Sequence, residues 1–166
     1  MNRFRLLLAV TLASVCIVSS QAGEADDAYE RGTALMNQGR FAEAIPFFEK
    51  AIHLSPYDPQ RWAFHSYQAL AHLFAGEFDL AFAAAQSATR IPNCHYWPFV
   101  HRVSALGHLR QKAEQWELEL PGAVLEMRQR KPDVSCRFAR ERLFYVKDPR
   151  HLDLYLSGLR HAGVTE

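Results

Sequence analysis

Four of the histidines in this 166-residue chain fall into two pairs, His65 with His72 and His101 with His108, and imidazole is the commonest protein ligand for transition metals. Within each pair the spacing is seven residues. On a helix that is two turns, about 10.5 Å along the axis, whereas two ligands of one ion stand three or four residues apart. Neither pair therefore chelates an ion alone. A cluster drawn from both helices, with Cys94 added, is the arrangement that would make the chain a ligand- or metal-responsive sensor. Cys94-His95 lacks the second pair that a structural zinc site needs. Against this stands the plainer reading of satisfied or surface histidines, so no metal and no cofactor is assigned.

Nucleophilic chemistry has less support. Ser55, Ser66, Ser87, Ser104, Ser135 and Ser157 sit in no glycine-flanked elbow, and no glycine-rich loop offers a phosphate cradle. Glu77 and Asp79 stand near a helix start, where acids ordinarily serve as solvated residues. No catalytic residue is assigned, and the chain reads as a non-enzyme.

The elements that position these residues come from an internal repeat. Gly39 and Gly76 are each followed two residues later by phenylalanine (Phe41, Phe78) and five later by alanine (Ala44, Ala81). Seven residues before them stand Gly32 and Ala69, and twelve after stand Ala51 and Ala88. Antiparallel helices approach closely only where small side chains face each other, and a glycine can end the first helix in a left-handed conformation. Pro56 and Pro92 stop the second helix of each copy.

These residues resemble the tetratricopeptide repeat, a helix-turn-helix unit of about 34 residues. The first copy runs from about Ala25 to Asp58 and the second from about Arg61 to Cys94, with extra residues in the connector "YDPQR". A third, divergent copy places Arg110 in the turn, and Pro121-Gly122 predict a kink or break in its second helix. In the tail, Asp148-Pro149 starts a helix, Leu152, Tyr155, Leu156 and Leu159 give it an apolar face, and Gly163 stops it. Such a helix caps the last apolar face of a stack. The tail "RERLFYVKDPRHLDLYLSGLRHAG" also resembles the closing segment of repeat arrays behind bacterial class III adenylate and guanylate cyclase domains. That resemblance implies a related array used alone, without cyclase activity.

The expected fold is all-α: an α-α superhelix of about three hairpins over residues 23–132, and a capping helical segment over 133–166. Such a stack forms a concave groove lined by the first helix of each unit. The resemblance implies a lining of Tyr29, Thr33, Met36 and Asn37 from the first copy. The second supplies Ser66, Leu70, Leu73 and Phe74, and the third Trp97, Val100, Ser104 and His108. A groove so apolar and aromatic suits a peptide or protein segment anchored by side chains. The competing reading is that the cap covers these residues. Pro98 marks a first helical turn, so Tyr96 and Trp97 either staple that helix's start or meet a ligand.

Compartment is read from residues 1–22. Arg3 and Arg5, an apolar run from Leu6 to Val18 and Ser20-Gln21-Ala22 predict a secretory leader cleaved after Ala22. The run is too short for a membrane span, so a secreted or periplasmic product without a span is expected. Its two cysteines permit one disulfide, Cys94 to Cys136; unbridged, both are small buried side chains. Past residue 22 the chain has 17 basic against 18 acidic residues, which favours neither nucleic acid nor an anionic membrane. Residues 23–62 hold seven acids and four bases, and residues 126–166 six acids and nine bases, a polarity that could orient a partner. The expected partner is another protein or peptide of the cell envelope, bound by an adaptor or scaffold.

Overall fold

The computed structural model describes residue 21 and residues 23–166; the leader expected over 1–22 lies outside the described residues except at Gln21. Every regular element among them is a helix. The first, α1, covers 23–37, and is followed by α2 (Phe41–Leu54), α3 (Arg61–Ala75), α4 (Phe78–Thr89), α5 (Trp97–Leu109), α6 (Gln115–Arg130), α7 (Cys136–Arg142) and α8 (Pro149–His161). Helices α1 to α6 form three successive hairpins, and α7 and α8 follow as the cap.

The two repeat glycines act as the sequence requires. Gly39 and Gly76 have φ of 75° and 77°, left-handed values that other residues adopt at a cost. The small residues mark the close approaches. Ala44, Ala51, Ala69, Ala81 and Ala88 are fully buried, and a Cβ on Gly32 would lie 2.6 Å from the Phe48 ring. The third hairpin closes without a left-handed residue, since Arg110 keeps a right-handed φ of −56°.

Of the kink or break expected in α6, the break does not occur. The helix runs unbroken through Pro121 and Gly122 from Gln115 to Arg130. Pro121 is exposed, so water can replace the backbone bond that proline removes, while Leu120, Ala123 and Met127 hold the opposite face in the core.

Helix α8 begins as predicted: the Asp148 carboxylate accepts from the Arg150 N–H at 2.9 Å, and Pro149 occupies the first turn. It packs on α5 and α3, the first helices of the third and second hairpins. The cap therefore lies against the concave side of the stack, and Tyr155, Leu156 and Leu159 are fully buried there. Contact is backbone to backbone at one crossing, where a Cβ on Gly107 would fall 1.8 Å from the Gly158 carbonyl oxygen.

Candidate functional site

Because the cap fills much of the concave surface, the sequence-predicted lining divides. Phe74 is 5% exposed and packs on Phe41, His151 and Tyr155, with ring centroids 4.6, 5.8 and 6.3 Å away. Met36 is buried beside the turn, and Leu73, Val100 and Ser104 are core residues. His108 stacks on Phe78 at 4.0 Å, and its Nε2 lies 2.9 Å from the Leu154 carbonyl oxygen of α8. Phe74, Met36 and His108 thus leave the open groove for the core or the cap interface, because α8 supplies the apolar surface a ligand was expected to bring. Asn37 is exposed at the rim of a small recess against the α7–α8 linker, shared with Phe41, Asp148 and His151. The Thr33 hydroxyl donates to its own helix at the Glu30 carbonyl.

What stays open is the end of the groove near the starts of α3 and α5. There Tyr29, Leu70 and Trp97 come together in a pocket of about 380 Å³. Six further lining residues matter: Trp62 and Tyr67 of α3, His95 before α5, His101 of α5, Arg142 at the end of α7 and Tyr145 of the following linker. Sequence reasoning passed over Trp62, Tyr67, Arg142 and Tyr145. A shift of the assumed lining toward the helix starts would have found the first two, because Trp62 opens α3 as Trp97 opens α5. Arg142 and Tyr145 depend on where the cap folds back, for which the repeat pattern holds no signal.

The rings are fixed in place before any ligand arrives. Trp62 stacks on His95 at 6.0 Å and Trp97 on His101 at 5.6 Å, each pair within 17° of parallel. Tyr29 meets Tyr67 edge-on at 5.5 Å and lies 5.1 Å from Phe64. His101 is anchored from behind, its Nδ1 lying 2.8 Å from the Tyr155 hydroxyl; Nε2 is the nitrogen left to face a ligand.

Electrostatically the pocket is one-sided. Burial, with His95 adding to it, pushes His101 down to about 3, and burial also lowers His95, so both imidazoles are neutral at neutral pH. Burial raises the Tyr29 and Tyr145 hydroxyls, and Tyr67 adds to the shift at both. Arg142 is the lining's one cation, and no carboxylate joins it.

The other chemistry raised by the sequence finds no such assembly. Among the described residues no three His, Cys, Asp or Glu side chains stand together as metal ligands. His72 pairs at 2.7 Å with Glu77, which gives that acid a structural partner, and His65 Nδ1 is buried without one. Cys94 and Cys136 are separate, buried free thiols, so of the two readings the sequence left open the structure shows the unbridged one. Cys136 is held instead at the base of the cap, its thiol 3.3 Å from the Val164 carbonyl and its N–H donating to Thr165.

Comparison with known proteins agrees with the first hairpin. Residues 25–58, the span of α1, the Gly39 turn and α2, match the family model of the tetratricopeptide repeat. Neither the curated proteins nor the solved structures gave a match. The first hairpin is thus similar to a tetratricopeptide repeat, and the all-helical architecture of the described residues is consistent with a superhelix of such hairpins.

Proposed function

We propose that the protein is an exported, non-enzymatic interaction module that binds a segment of another cell-envelope protein in the pocket between the starts of α3 and α5. The observation that carries this reading is the preset aromatic wall of Tyr29, Trp62, Tyr67 and Trp97. Half-buried aromatic rings with an arginine beside them are the composition of binding hot spots. The tetratricopeptide repeat at residues 25–58 supports a protein partner. The leader-like composition of residues 1–22 supports the envelope as the compartment. No helix among the described residues is long and apolar enough to cross a membrane.

The test is crosslinking in the host envelope, with the protein expressed from its own leader. Recovery of one or a few defined envelope proteins, lost on Trp97→Ala, is the expected result. Recovery unchanged by that substitution would move the binding site elsewhere.

A further inference from the structure

The outer face of α6 stands open to solvent. On its inner face Leu120, Ala123 and Met127 are buried against α5, and Trp116 reaches Phe82 of α4 with ring centroids 5.2 Å apart. The cap packs elsewhere, on α5 and α3. Opposite the buried face, Leu118 and Leu125 are 83% and 60% exposed, and Pro121 and Gly122 between them are exposed as well. At 3.6 residues per turn these four make one stripe two turns long. A Cβ on Gly122 would meet no atom within 4 Å. A single exposed leucine is ordinary, whereas an apolar stripe edged by charged and polar residues is the mark of a contact surface.

The pattern of the stripe names its occupant. Leu118 and Leu125 stand equally far from the bond between Pro121 and Gly122, so the stripe turned end for end matches itself. Laid antiparallel on a second copy, Leu118 opposes Leu125, and Pro121 opposes Gly122, where a missing side chain leaves room for the ring. A surface that matches itself in this way is what a two-fold dimer requires.

Charge selects the antiparallel direction. The start of α6 carries Glu114, Glu117 and Glu119, and its end carries Arg128 and Arg130 with Lys131 following. An antiparallel copy sets the acidic half against the basic one, and a parallel copy would set like against like. Glu114 comes level with Gln129 of the copy, between Arg128 and Arg130. Within its own chain Arg128 donates to the Pro132 and Val134 carbonyls, and Arg130 lies over the Phe99 ring, so neither is matched by a carboxylate among the described residues. Glu126, the acid in the basic half, is already held by Arg102 at 2.7 Å.

We infer that the protein self-associates through α6 as an antiparallel two-fold dimer centred on Pro121 and Gly122, with Leu118 and Leu125 as its apolar contacts. No residue of α6 lines the aromatic pocket, so the two surfaces are separate. Two crossing helices bury less than the roughly 1,600 Å² of a standard interface, so the dimer is weak and depends on concentration.

Sedimentation velocity over a range of concentrations tests this on protein expressed from its own leader. A monomer–dimer equilibrium is expected, weakened about tenfold or more by Leu118→Glu and by Leu125→Glu. Both leucines are exposed, so both variants should keep the wild-type circular dichroism, and either one alone suffices if the other does not. Direction is read by mild oxidation of Gly122→Cys, at the two-fold axis, and of Gln129→Cys, which an antiparallel pair holds about 22 Å from its own copy. The native thiols are buried. Rapid disulfide-linked dimer from Gly122→Cys, and little from Gln129→Cys, is the expected contrast. Monomer alone up to about 1 mM, a dimer indifferent to a folded leucine variant, or equal crosslinking at both positions would overturn the inference. So would a stripe that binds lipid vesicles or another protein while the chain stays monomeric.

Discussion

The Tyr155 hydroxyl lies 2.8 Å from Nδ1 of His101, in the buried seam where the cap helix α8 crosses α5. Beside it the Ser104 hydroxyl donates to the Tyr155 carbonyl at 2.8 Å, so a single residue of the cap is tied to α5 through both side chain and backbone. The same His101 ring carries Trp97 of the pocket on its face. The cap thereby sets the position of a pocket wall it does not itself form. Tyr155→Phe leaves a fully buried imidazole nitrogen unpaired, at a cost of about 1–3 kcal/mol. A lower urea midpoint with an unchanged slope is the expected result; an unchanged midpoint would mean that the bond contributes nothing.

His101 also makes stability depend on pH. In the unfolded chain a histidine titrates near 6.5, while in the folded protein burial pushes His101 down to about 3. Between those values the unfolded state binds more protons, so stability is full above about pH 6.5 and falls as acid is added. One such group loses about 1.4 kcal/mol per pH unit in that window. His65, His95 and His108 are lowered by burial as well and act in the same direction. Urea denaturation at pH 7 and pH 5 should show a loss of about 2 kcal/mol or more at the lower pH, reduced in His101→Gln. A midpoint rising toward pH 5 would contradict the assignment.

Elements governed by local chemistry could be read from the sequence. Gly39 and Gly76 end helices in the one conformation glycine holds easily, and Asp148-Pro149 starts α8 through a bond within two residues. The repeat pattern likewise located Tyr29, Leu70 and Trp97, which share the pocket. Features set by distant packing could not be read. Nothing near Phe74 in sequence says that Tyr155 and His151 cover it, and no local rule places Arg142 and Tyr145 beside Trp62. The break expected at Pro121 is absent for a related reason: the effect of a proline depends on whether its helix face meets water or core, which is a tertiary fact.

Placing Phe74 beneath the cap reverses the outcome expected of a groove residue. Phe74→Glu puts a carboxylate among Phe41, His151 and Tyr155, and should cost more than about 3 kcal/mol. Trp62→Ala should cost on the order of 1 kcal/mol, since it removes a half-buried ring stacked on an exposed imidazole. Melting temperatures measured side by side check the contrast. Equal, small shifts would place Phe74 at the surface after all.

The two cysteines yield a chemical test of the same core. Both are buried, and burial raises both thiols above their ordinary pKa, so thiolate is scarce and shielded. In the chain past residue 22, Ellman's reagent should find two thiols in denaturant without reductant and react far more slowly with the native protein. No free thiols in denaturant would reveal a Cys94–Cys136 bridge.

The crossing of Gly107 and Gly158 is the most exacting contact in the fold. A Cβ on Gly107 would fall 1.8 Å from the Gly158 carbonyl oxygen, and one on Gly158 would fall 2.2 Å from the Ser104 carbonyl oxygen. Backbone cannot swing aside as a side-chain tip can, so either alanine forces α8 away from α5. On helix propensity alone, glycine to alanine in these helices would stabilise by about 1 kcal/mol. Overpacking acts against that and costs about 1–3 kcal/mol or more in a close-packed interior. The steric effect should win because the displaced helix also uncovers Tyr155, Leu156 and Leu159. Gly107→Ala and Gly158→Ala should each lower the melting temperature and speed amide exchange across α8, while Gly122→Ala, with open space around its Cβ position, should leave stability equal or higher. A rise in melting temperature for Gly107→Ala would show that the cap does not sit in the groove as closely as the crossing requires.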